Sequence, residues 1–194
     1  MISLSSQAAT GARSHGAPVV IPPLPAERTP RIVFDTNVLL SLFVFADSRF
    51  APLRAEIEAG RWLALSNERC LGEFRRVLAY PLFKLEPDAQ EAALAAYRRL
   101  AVLIEAPSQP PTVTLPNCRD KDDQKFLELA RDGSAHWLVS ADKALLKMAR
   151  RDKLKGLFYI LTPDKALASL QVDAPGLAAG AGEGGVEQPV RQPA

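Results

Sequence analysis

An α/β domain around a parallel sheet is what this sequence predicts, and three observations predict it. Between about residue 31 and residue 172, short β-branched or aromatic runs alternate with longer segments of helical period. Two of the apolar runs end in an aspartate just where the chain turns into a helix, at the place where open α/β sheets keep the carboxyl ends of their strands. A chain of 194 residues, 47% of them apolar, also suffices for one domain of ordinary size with a sizeable core.

The strand candidates are RIVF (31–34), RWLAL (61–65), HWLVS (136–140) and LFYIL (157–161). Between the first two, a helix is expected from near Val38, interrupted by Pro52, whose ring removes a backbone donor. A second helix is expected from about Glu68 to Ala79, ending before Pro81. Pro87-Asp88 followed by Glu91 reads as an N-cap with its capping-box partner, opening an Ala-rich helix that runs to about Ile104. Another runs from about Asp123 to Arg131, stopped by Gly133, and a further one from Asp142 to about Arg151. Thr162-Pro163 starts a last short helix.

Residues 1–30 and 173–194 are rich in Pro, Gly, Ala, Ser and Gln without either periodicity, and read as disordered N- and C-terminal tails around a folded domain at 31–172. The second tail contains GAGEGG, in which Gly180, Gly182 and Gly185 match the spacing of a dinucleotide-binding loop. No strand precedes it and no helix follows it, so the structural context that would hold a pyrophosphate is missing. Lys and Arg number 24 against 22 Asp and Glu, a formal charge of +2 that by itself announces no nucleic-acid partner. Cys70 and Cys118 are the only cysteines, with no CxxC or Cys/His ladder, so neither a disulfide framework nor a zinc site is expected and a reducing cytoplasm is the natural setting. No signal peptide and no membrane span is expected from the apolar runs, and the protein reads as soluble. The histidines are His15, in the first tail, and His136, at the start of a strand, so a Ser–His–Asp or Cys–His site has no support.

The chemistry lies in the acids. FDTN places Asp35 where an apolar strand meets water, and HWLVSAD repeats the arrangement with Asp142. Between them, RDKDDQKF gathers Asp120, Asp122 and Asp123 at a helix start, and CLGEFRRVL carries Glu73 on an otherwise apolar or basic helix. Each has an ordinary explanation: Asp35, Asp122 or Asp123, and Asp142 all stand where Asp caps helices, and Glu is a good helix former. Together, carboxylates so concentrated either stay far apart or surround something positive, and hard cations such as Mg2+ or Mn2+ suit carboxylate oxygens.

The ordered segments FDTNVLL, LGEFRRVL, RDKDDQKFLELA, WLVSADKALL and ILTPDKAL resemble the PIN-domain family, in particular its group of toxins from bacterial toxin–antitoxin modules. The resemblance spans about residues 31 to 170. It implies a three-layer α/β/α fold with a central mainly parallel sheet, and a metal-dependent endoribonuclease using Mg2+ or Mn2+. It implies Asp35, Glu73, Asp123 and Asp142 as the metal-binding and catalytic acids, with Asn37, Asp120 and Ser140 auxiliary; Ser140 stands where Thr is common and keeps the hydroxyl. Asp122 is the alternative to Asp123 as third ligand. Asp123 is preferred because Phe126, Leu127 and Ala130 follow it at helical spacing. An RNA substrate, an antitoxin protein and a homodimer are the implied partners. Among the basic residues, most of which read as solvated faces, Lys143 directly after Asp142 and Arg119 in the third segment are the substrate-binding candidates. Two competing readings are a haloacid-dehalogenase-type phosphatase, which wants Asp where this chain has Asn37, and a non-catalytic PIN domain that binds RNA or protein.

Overall fold

The pleat of the strands divides the apolar residues between two cores. A computed structural model describes residues 28–172, together with Pro22 and Leu24. The two sequence-predicted tails otherwise lie outside the described residues. In β1 (Arg31–Phe34), Ile32 and Phe34 point to one face and Val33 to the other, because successive side chains of a strand alternate. Ile32 and Phe34 join a core lined by α1 (Thr36–Phe43), α2 (Ala51–Glu58), α3 (Glu68–Leu78), α4 (Pro87–Leu100) and α7 (Pro163–Val172). Val33 joins a second core beneath α5 (Gln124–Asp132) and α6 (Lys143–Met148). Helices on both faces of an all-parallel sheet make the three-layer α/β/α arrangement, and burial on both faces explains why the strands read as continuous apolar runs.

The remaining strands are β2 (Leu63–Ser66), β3 (Val102–Leu103), β4 (Trp137–Val139) and β5 (Tyr159–Leu161), in the spatial order β3-β2-β1-β4-β5. The chain winds outward from β1 to β3, then returns to lay β4 on the other side of β1. The order therefore reverses between β1 and β4, whose parallel register sets Phe34 beside Val139. The crevice beyond the carboxyl ends at such a switch point is where doubly wound sheets bind ligands. Asp35 and Ser140 are the next residues on the two strands.

Two helices depart from the sequence reading. Pro52 lies in the first turn of α2, where its missing N–H has no partner to lose, so it starts a helix after the break at residues 44–50. The Ala-rich helix stops at Leu100, not Ile104, because Val102 and Leu103 pair with Leu65 and Ser66 and form an edge strand. Its cap also differs: Glu86 occupies the N-cap position with Pro87 after it, and no side chain closes a capping box there. No helix among the described residues is long and apolar enough to cross a membrane.

Candidate active site

Asp35 is held by the backbone it caps. Its extended conformation turns the carboxylate back over the first turn of α1, where Oδ1 accepts the Val38 N–H at 2.8 Å. The other oxygen, Oδ2, accepts the Ala141 N–H at 3.2 Å and the Ser140 hydroxyl. Burial leaves 2% of Asp35 exposed and pushes its carboxyl above the usual range, against the opposing pull of these hydrogen bonds. Ser140 is fully buried, and its Oγ also accepts the Asp142 N–H at 2.9 Å, so one hydroxyl ties the ends of β1 and β4 together. Asp142 caps α6, its Oδ1 accepting from Ala144 N–H at 2.5 Å and Leu145 N–H at 3.1 Å.

Glu73 reaches the same place from the middle of α3. Its Oε1 accepts the Thr36 hydroxyl at 2.8 Å, directly beside Asp35, and its Oε2 pairs with the ammonium of Lys125 from α5. Asp123 stands at the N-cap position of α5 but has helical backbone angles, and its side chain makes no capping bond. Its carboxyl is pushed up to about 6, first by burial and then by the nearby charges of Asp142, Asp120 and Glu73. Asp122 is exposed, and its backbone N–H is capped by Asp120 at 2.9 Å. Of the neighbouring pair, Asp123 is the partly buried one, on which the charges of Asp142, Asp120 and Glu73 act.

The sequence candidates thus fall into three groups. Asp35, Glu73, Asp123, Asp142 and Ser140 come together around the switch point. Asp120 contributes charge at the rim, and Asp122 contributes its carbonyl, which accepts from Lys125. Asn37 is exposed, and among the described residues its side chain makes no hydrogen bond to the acids. Thr36 and Lys125 belong to the cluster but were not singled out for it. Glu73 lies next to buried Phe74 in the otherwise apolar or basic segment CLGEFRRVL, and Lys125 lies four residues before buried Leu129. That spacing places Lys125 on the inward stripe of α5 and was the available signal. His136 is at the other end of β4, where Nδ1 accepts the Arg31 N–H at 2.9 Å; burial and the adjacent arginines Arg31 and Arg28 hold its pKa low.

A divalent cation fits this donor set, in which Asp35, Glu73, Asp123 and Asp142 offer hard carboxylate oxygens beside the Ser140 and Thr36 hydroxyls. Among the described residues no three His, Cys, Asp or Glu side chains already form a ligand group. Asp35 and Asp142 are engaged as helix caps and Glu73 by Thr36 and Lys125, while the Asp123 carboxylate makes no capping bond.

A cleft of about 730 Å3 opens beside Asp142 and Asp120, and Arg119, Lys121, Lys143, Lys147 and Arg151 line it. Among the described residues none of these five cations is in an ion pair. A second cleft of about 650 Å3, at the β3 edge, differs in that its Arg69 and Arg131 are paired with Glu128 and Asp132. Cations held unpaired around a concavity attract polyanions, whereas paired ones are ordinary surface.

A doubly wound α/β sheet with acids gathered at its switch point and a basic cleft beside them is suited to holding a phosphate-bearing ligand. The chain belongs to the PIN domain family, whose model matches residues 31–144, from the start of β1 through Asp142 to the first turn of α6. The family is of nuclease type and generally uses divalent metals. Comparison with curated proteins finds no match.

Proposed function

We propose that the protein is a metal-dependent endoribonuclease that hydrolyses RNA phosphodiesters with Mg2+ or Mn2+. The observation that carries this reading is the convergence of Asp35, Glu73, Asp123 and Asp142 at the switch point, beside a cleft lined by unpaired cations. When bound, the metal supplies a water of lowered pKa and neutralises charge on the phosphate and the leaving oxygen. Asp35, Asp123 and Asp142 would hold it, with Glu73 completing the acidic wall. Ser140 orients Asp35, while Lys143 and Arg119 hold the phosphates that flank the scissile bond. Asp120 at the rim and Asn37 beside Asp35 remain outside direct contact in this reading. Following the group its segments resemble, the protein acts in the cytoplasm as the toxin of a toxin–antitoxin module, forms a homodimer and is restrained by an antitoxin protein.

The test is cleavage of a labelled RNA, and of DNA of the same sequence, by the purified protein with and without manganese. Wild type is expected to cut the RNA only with metal. Asp35→Asn and Asp142→Asn are expected to lose about 100-fold or more in rate, as removal of a charged transition-state contact does. Equal cleavage by all three proteins would identify a contaminant and end the proposal.

A further inference from the structure

Among the described residues Lys125 is the only lysine or arginine that is buried, with 8% of its surface exposed. An ammonium withdrawn from water costs several kcal/mol unless partners replace its hydration. Here the partners are the Glu73 carboxylate, the Asp122 carbonyl and the face of the Phe126 ring, 5.0 Å from Nζ. The side chain starts on the inward stripe of α5 and crosses to α3, so a fixed positive charge stands inside a group of carboxylates.

We propose that Lys125 is the internal counter-cation of the site, a positioning residue that neutralises Glu73 and leaves a divalent ion to Asp35, Asp123 and Asp142. It acts through Glu73 and sets how much further positive charge the acids take up. The geometry favours this because Glu73 is met by an ammonium, whereas the donors on Asp35 are neutral N–H and O–H groups, Asp123 has no capping bond and only Oδ1 of Asp142 accepts one. The inference rests on the reading that these acids bind a divalent cation.

Manganese affinity, measured by isothermal titration calorimetry, tests it. Removing one unit of positive charge at this range should let Lys125→Met bind manganese about tenfold tighter than wild type, with Lys125→Arg close to wild type. Glu73→Gln, which leaves the lysine unopposed, should bind about tenfold weaker, and Glu73→Gln with Lys125→Met should return to near the wild-type value. The double variant replaces a buried ion pair by neutral groups of similar shape, so it remains informative if Lys125→Met does not fold. A merely structural lysine would leave affinity unchanged or reduced in Lys125→Met, and that result overturns the proposal. So does a double variant no tighter than Glu73→Gln alone, which would make Glu73 a ligand. If wild type neither binds manganese nor cuts RNA, the nuclease reading fails with it. If wild type does both and Lys125→Met binds no tighter, only the counter-cation role fails.

Discussion

Asp35 and Asp123 both stand at the start of a helix beside the same crevice, yet the protein treats them in opposite ways. The backbone of Asp35 is extended, so its carboxylate folds over the first turn of α1 and collects the Val38 and Ala141 N–H groups and the Ser140 hydroxyl. The backbone of Asp123 is already helical, its carboxylate makes no capping bond, and the charges of Asp142, Asp120 and Glu73 act on it. Asp142 lies between the two, with one oxygen engaged as a cap. The difference teaches that capping and metal binding do not exclude each other. A buried acid needs donors to exist there at all, and the oxygen lone pairs left over are what a cation can use.

The largest expected effect on stability is at Asp35. Asp35→Ala strips partners from the buried Val38 N–H, the part-buried Ala141 N–H and the buried Ser140 hydroxyl, and should cost about 2–4 kcal/mol in urea unfolding with chelator present. A loss below about 1 kcal/mol would mean that these donors find other acceptors and that the inner acid is not structural. Asp142→Ala removes a half-exposed cap and should cost about 1 kcal/mol in the same assay. A cost equal to that of Asp35→Ala would erase the distinction between them.

Asp123 is predicted to act with the opposite sign. Its carboxyl titrates near 6 in the folded protein against 3.8 for the free side chain, so the folded state binds the proton more tightly. The metal-free protein should therefore be most stable below about pH 4 with respect to this group, and lose that stability as pH rises through about 6. Because the side chain is partly exposed, screening limits the change to about 1 kcal/mol or less. Asp35, also raised, contributes in the same direction. Unfolding followed across this range should give a flatter profile for Asp123→Asn, and added manganese should remove the decline in wild type. A metal-free stability that climbs from pH 4 to 6 equally in both proteins would show that the outer acids do not repel one another.

Much of the fold was legible because its signals are local. The four longer strands are apolar runs bounded by turns, and Asn67, Asp35 and Asp142 cap their helices through bonds to residues two or three positions ahead. The short edge strand was not legible, since Val102 and Leu103 continue the apolar face of the helix before them and only pairing with β2 shows otherwise. The same limit applied at the site. The aspartates at strand ends could be found from the strands, while Lys125 in RDKDDQK read as one more solvated charge.

By itself the sequence determined the elements, the acids at strand ends and the likeness to a nuclease family, because hydrogen-bond periodicity and capping depend on neighbours a few residues apart. The tertiary structure decided that β1 and β4 lie side by side, that Ser140 bridges their ends, that Thr36 and Lys125 take the two oxygens of Glu73, and that five cations share a cleft. Those pairings join residues far apart in the chain. Sheet register and helix packing set which side chains meet, and neither is written in the spacing of any one segment.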